Sequence, residues 1–249
     1  MNAQNGHLDI GGVFDSTTEI YKNCFGTVWI VALVLLIPAN IIVALLGNGI
    51  LGIIGSLISL AASAWLMGSI IKIVQDVEAD GRVDMSVGEI LGAVWPRIIP
   101  IILLEIVVGI LVAIGLVFLI VPGVILALMW AVSLPALVVE DKGVFDSMSR
   151  SSDLTRENRM RILGLAILIL ILYLVLIIVV ALLAAITPIL GIIVGIVLGV
   201  LIYPYIAIIS TVLYFNLVEL KEGLVMASET VVEETLSVDE GPADPPPAV

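Results

Sequence analysis

Reactive side chains are scarce in this chain. Histidine and cysteine occur once each, as His7 and Cys24. A lone histidine in a polar N-terminal stretch offers no cluster for a metal and no Ser/His pair for nucleophilic attack. A lone cysteine excludes an intrachain disulfide and leaves the redox compartment open. Charge is thin as well, at 13% of 249 residues. No glycine-rich loop runs into a lysine to cradle phosphate, and no basic face suits nucleic acid. The expectation is a protein that is not an enzyme, needs no metal or cofactor and binds no nucleic acid.

What the chain has in abundance is hydrocarbon: 61% of its residues are hydrophobic and the mean hydropathy is +1.26. Ten basic and 22 acidic residues, gathered in a few segments, cannot supply the charged shell of a soluble domain this long. Apolar runs of about 18 residues or more read as spans of a hydrocarbon core about 30 Å thick. Six such spans are legible, at 25–46, 50–74, 98–119, 122–139, 162–186 and 189–218. The connections "GNG", "IVPG" and "ITPILG" carry no charge and are short enough to force antiparallel hairpins. Pro122 and Pro188 fit at span starts, where a missing N–H costs little. The fold class is an all-α integral membrane protein with six transmembrane helices in three hairpins.

All ten Lys and Arg residues fall on one side of this layout. Lys22 precedes span one; Lys72, Arg82 and Arg97 flank the second connection. Lys142, Arg150, Arg156, Arg159 and Arg161 lie in or beside the fourth connection, and Lys221 follows span six. Basic residues near span ends are retained in the cytoplasm, so a cell-membrane protein with both termini cytoplasmic is expected. Residues 1–24 are mostly polar, with Asp9, Asp15 and Glu19. They read as a cytoplasmic segment rather than a cleaved signal, with span one acting as the insertion signal.

The pentapeptide "GVFDS" occurs at 12–16 and again at 143–147, each time shortly before a span. Between them, "MSVGEILGAVWPRIIPIILL" at 85–104 has the same arrangement of polar start and apolar continuation. The chain parses as three units, each a cytoplasmic interfacial helix followed by a span hairpin. The core domain is then 25–218. Residues 219–249 carry eight acidic residues against one Lys and include "PADPPP" near the end. This composition predicts a disordered acidic cytoplasmic tail. It also holds seven of the twelve net negative charges.

Glu105 is the ionisable residue lying well inside a span, about 10 Å along it from Ile98. It could couple to a proton or cation; the favoured reading is a carboxyl bonded to a neighbouring span, with Asn40 and Ser63 as possible partners. Four-residue stripes of small side chains, Gly191/Gly195/Gly199 and Gly55/Ser59/Ser63, read as close helix packing. Pro135 and Pro204 suggest kinks. The segment 140–161 mixes Arg150, Arg156, Arg159 and Arg161 with hydroxyls, a chemistry that suits lipid phosphate. Its five acidic residues cancel the local charge and weaken that reading. "DVEADGRVD" at 76–84 looks briefly like a calcium loop. Its twelfth position is Val87 rather than a bidentate glutamate, so a solvated turn is the better reading.

Within 121–164, Pro122-Gly123, Trp130, Leu134-Pro135, Glu140, Ser149 to Leu154 and Arg159 resemble the six-span membrane domain of the glycerophosphoryl diester phosphodiesterase membrane-domain family. The resemblance implies a stand-alone prokaryotic cell-membrane module. The phosphodiesterase activity of that family's fusions belongs to a separate barrel with histidine and acidic metal ligands, which these 249 residues do not contain. The functional expectation is a module that engages membrane lipids, a protein partner or a second copy of itself, in envelope or phospholipid handling. The alternative is a transporter or flippase working through Glu105.

Overall fold

The computed structural model describes residues 8–47, 49–187, 189–191, 194 and 204–223. All regular structure among them is helical. Asp9 opens α1 (Ile10–Leu46) by accepting from the Gly11 N–H at 3.0 Å. The 37 residues of α1 make a rod about 55 Å long, far longer than a hydrocarbon core about 30 Å thick. Gly47 and Gly49, at φ 63° and 83°, reverse the chain through left-handed backbone that side chains resist. α2 (Ile50–Asp80) then returns along α1.

A capping box starts α3 (Val87–Val94). The Ser86 hydroxyl accepts from the Glu89 N–H, and the Glu89 carboxylate accepts from the Ser86 N–H at 2.8 Å. Pro96 turns the chain through a 3-10 corner, Trp95–Arg97, into α4 (Ile98–Phe118). α5 (Ile120–Met129) and α6 (Ser133–Val139) follow, then α7 (Val144–Thr155), α8 (Arg159–Ile186) and a last helix at 204–223, α9.

The expected layout is corrected in three places. First, no separate surface helix precedes span one, because α1 runs unbroken from the first "GVFDS" into the apolar run. The hydroxyls of Thr17 and Thr18 donate back to the carbonyls of Val13 and Phe14, so the polar stretch stays helical. Units two and three do keep the corner, at 95–97 and 156–158. Second, the run 122–139 is two helices rather than one kinked helix. Pro135 has no N–H for the Ala131 carbonyl, and its ring collides with that carbonyl in a continuous helix. The chain therefore breaks at Trp130–Val132 and restarts with Pro135 in the first turn of α6. Third, the chain stays helical to residue 223, past the expected start of the tail at 219. Among the described residues, five segments are long and apolar enough to cross a membrane: Ile10–Leu46, Ile50–Ala79, Val87–Phe118, Ile120–Val139 and Arg159–Ile186. Much of span six, with Pro188, Gly195 and Gly199, lies outside the described residues, as does the tail from 224.

Helix ends sort the chain into a polar end and an apolar end. Asn158, at the start of α8, accepts from the Leu8 N–H at 3.2 Å, and the Arg161 guanidinium donates to the Leu8 carbonyl. Lys221 of α9 donates to the Asp153 carbonyl at 3.1 Å. The starts of α1 and α8, the end of α9 and all of α7 therefore meet. Gly47, Gly49, Leu119 and Thr187 lie at the far ends of their helices. One apolar core joins α1, α2 and α9 through Val13, Val28, Leu66, Ile73, Ile208 and Val212, all fully buried. By contrast the apolar stretch of α8 is almost wholly uncovered by protein, as a lipid-facing helix is.

The α4–α5 hairpin depends on two glycines. A Cβ on Gly115 would lie 2.8 Å from the Gly123 Cα, and one on Gly123 would lie 2.5 Å from the Leu116 backbone nitrogen. Gly123→Ala should therefore destabilise the fold by about 1–3 kcal/mol through overpacking. Gly109→Ala, where a Cβ meets nothing within 4 Å, should be neutral or stabilising by up to about 1 kcal/mol. Reversible unfolding in detergent micelles checks both; equal effects at the two positions would refute the role given to Gly123.

Candidate functional site

The break between α5 and α6 strands backbone groups in apolar surroundings, and α7 supplies their partners. The Ser151 hydroxyl donates to the Met129 carbonyl at 2.8 Å and accepts from the Val132 N–H at 3.3 Å. The Thr155 hydroxyl, one turn on, donates to the same carbonyl at 3.3 Å, and the Ser133 hydroxyl caps the Trp130 carbonyl at 2.8 Å. Ser147, Ser151 and Thr155 share one face of α7 and are fully buried. Spacing of four residues on an amphipathic helix was the available signal for this stripe.

Glu140 ends α6 and gathers the rest. Its Oε1 accepts from Arg150 Nε at 2.7 Å and from the Tyr214 hydroxyl of α9 at 2.7 Å; its Oε2 faces Lys142 Nζ at 2.8 Å. Arg150 also reaches Glu222 at 3.5 Å. Burial alone would raise the Glu140 carboxyl above its ordinary 4.5, but the bonds from Lys142, Tyr214 and Arg150 outweigh it and hold the group at about 2. The next residue, Asp141, sits in left-handed backbone at φ 57°, a conformation aspartate tolerates better than most residues. It pairs with Arg97, which also donates to the Leu137 carbonyl at 3.3 Å. Two ion pairs thus lock the end of α6 to α7 and the start of α4, and the Tyr214 hydrogen bond ties it to α9. Tyr214 and Arg97 escaped the sequence reading because nothing in their own segments marks them as partners of residues 140 and 141.

The expected site residues do not converge on one point. Arg150 is engaged by Glu140 and Glu222, and Arg161 by Leu8. Arg156 is exposed, and Arg159 keeps a buried Nε with no partner among the described residues. Glu105, half-buried on α4, has no hydrogen-bond or ion-pair partner among the described residues. Asn40 instead donates to the Leu36 carbonyl of its own helix at 2.8 Å. Pro122 and Gly123 open α5, Trp130 caps it, Pro135 restarts α6 and Glu140 closes it. The motif is a set of instructions for one broken span. In the 76–84 loop, the Asp76 carboxylate accepts from the N–H groups of Asp84 and Met85 at 2.8 and 3.1 Å, which makes it a loop clasp.

Fold and site together define a helical membrane protein whose charged groups are gathered at one end of an apolar bundle. The chain belongs to a family described as Uncharacterised protein family (UPF0259), whose model matches residues 50–216. The match takes in the broken span, Glu140, Arg150 and Tyr214. It carries no link to the glycerophosphoryl diester phosphodiesterase membrane domain. No solved structure matches the chain.

The Glu140 cluster yields a pH signature. A carboxyl held at about 2 against an ordinary 4.5 stabilises the fold fully above pH 4.5, and that stabilisation is lost as pH falls toward 2. The shift corresponds to about 3 kcal/mol. Glu140→Gln should therefore unfold more easily than the parent by about that amount at pH 7, with the gap closing between pH 4.5 and 2. A gap that persists unchanged at pH 2 would show that the carboxylate is not its source. Ser151→Ala should cost about 1–3 kcal/mol by leaving the Val132 N–H without its partner, with Ser152→Ala as the silent comparison in the same melts.

Proposed function

We propose that this protein is a non-enzymatic, lipid-engaging module of the cell membrane, with both termini cytoplasmic and α3 and α7 lying at the cytoplasmic interface. The observation that supports it is the division of the molecule: long helices left bare of protein along their apolar lengths, with the charged clasps collected at one end. Basic residues confined to that end belong on the cytoplasmic side. Arg156 and Arg159, unlike Arg150, are not engaged by a carboxylate among the described residues, and a headgroup phosphate at that level would suit them. The resemblance at 121–164 fits the same reading, with a protein partner or a second copy as the other way to cover the bare helices.

A transporter or flippase is the second reading, favoured by the discontinuous α5–α6 span, since broken helices often carry transport sites. Here the freed backbone groups are bonded to α7, and Glu105 has no second ionisable group bonded to it that would form a relay. Glu105→Gln should accordingly leave both lipid retention and any vesicle flux unchanged.

The deciding experiment is native mass spectrometry of the protein released gently from its own membranes. The expected result is a defined lipid held at a fixed number per chain. A bare chain, or lipids retained in proportion to the membrane's composition, would overturn the reading; turnover of a lipid by the isolated chain would overturn the non-enzymatic part.

A further inference from the structure

Helices α4 and α8 are both nearly uncovered by protein along their apolar lengths, but they differ in chemistry. From Ile167 to Val180, α8 presents only large side chains and no carboxylate or ammonium group, as a lipid-facing helix does. α4 carries Glu105, half-buried and with no hydrogen-bond or ion-pair partner among the described residues. A polar group inside a span is costly while unbonded, and ionisable residues there pair with one another or with backbone carbonyls.

The surface beside Glu105 is shaped for a second helix. Gly109 and Ala113 follow it at four-residue spacing and are both exposed, and a Cβ on Gly109 would meet nothing within 4 Å. They form a furrow open to the close approach of another backbone. Beside it runs a ridge at the same spacing, with Ile106, Ile110 and Ile114 at 42%, 54% and 48% exposure. A ridge next to a parallel furrow is complementary to a copy of itself, since each ridge fills the other helix's furrow.

The membrane decides which partner fits. Copies of one chain insert in the same orientation, so a two-fold axis along the membrane normal brings the same face of each α4 together at equal depth. Glu105 then meets Glu105 of the second copy. A protonated carboxyl both donates and accepts, so each supplies the bond that the other lacks. An acyl chain in the furrow would leave the carboxyl unbonded, and no group of three metal-ligating side chains among the described residues could hold a cation there.

We propose that the protein forms a parallel two-fold dimer through α4. The isoleucine ridge of each copy fills the Gly109–Ala113 furrow of the other, and the two Glu105 carboxyls are hydrogen-bonded together. This dimer stands apart from the lipid-engaging reading and does not depend on it. Its test is energy transfer between donor- and acceptor-labelled full-length copies in phosphatidylglycerol/phosphatidylethanolamine vesicles, titrated by lipid dilution. The dyes sit on Ser149→Cys, an exposed position of α7, in a Cys24→Ala background. Glu105→Leu and Gly109→Leu should each weaken the dimer at least about tenfold. Glu105→Gln, which keeps a donor and an acceptor, should stay within about threefold of the parent. Gly109→Leu should melt with the parent in excess detergent, so that its loss of dimer is not a loss of fold. A parent that stays monomeric at the highest protein-to-lipid ratio would overturn the dimer. A dimer indifferent to both leucine variants would overturn the α4 interface. A second measurement is disulfide formation in native membranes on mild oxidation, which requires Cα atoms within about 7 Å. Without the dye cysteine, Ala113→Cys should link two chains and Ile171→Cys on α8 should not; equal linking at both positions would overturn the interface.

Discussion

The carboxylate of Glu140 is where separate helices become one structure. In hydrocarbon, two apolar helices gain little by touching each other instead of lipid, so their order must come from close packing and from polar bonds. Glu140 supplies such bonds to three donors at once, from the loop after α6, from α7 and from α9. A charge only 18% exposed is costly unless paired and hydrogen-bonded, and here both oxygens are occupied. The result couples residues 140, 150, 214 and 222. The resemblance at 121–164 implied a stand-alone membrane module without the phosphodiesterase activity; the residues that carry it build this clasp and the broken span beside it.

Breaking a span raises a problem that the clasp alone does not solve. Irregular backbone at membrane depth is tolerated only where protein or water satisfies it. The hydroxyl face of α7 does so with short side chains, because Ser151 both donates across the break and accepts from it. This requires α7 to lie against the break, and the Arg150–Glu140 pair, one residue away on α7, holds it there. Removing the clasp would therefore loosen the hydroxyl stripe as well, and the two should behave as one cooperative unit rather than as additive parts.

How much of this was legible in the sequence depended on the range of the interaction. The spans were, because hydrophobic runs and glycine turns are local: α2, α4 and α8 begin or end within a few residues of where composition set them. The break was half-legible, since Pro135 signalled trouble but not whether the helix would bend or stop. That choice was made by Ser151, sixteen residues on. Tyr214 and Arg97 were illegible for the same reason, their partners being set by how hairpins pack. The missing surface helix before span one is a different failure: the repeated "GVFDS" was real as sequence, yet Thr17 and Thr18 bond within their helix and no corner forms.

Polar satisfaction also separates structural residues from candidates for function. Buried polar groups are almost always bonded, so a charged residue already held by protein is poor evidence for a ligand. Arg150, Arg161, Asp76 and Asp141 are held in this way. Lys72, Arg156 and Arg159 are not bonded to a carboxylate among the described residues, and all three lie at the polar end. Glu105 differs from them: it lies about 10 Å along α4 from the Arg97 corner, half-buried and without a hydrogen-bond partner among the described residues. The residues left for a partner are therefore Glu105 and the cations at the polar end whose charge no carboxylate among the described residues offsets, and not the clasp that holds the helices together.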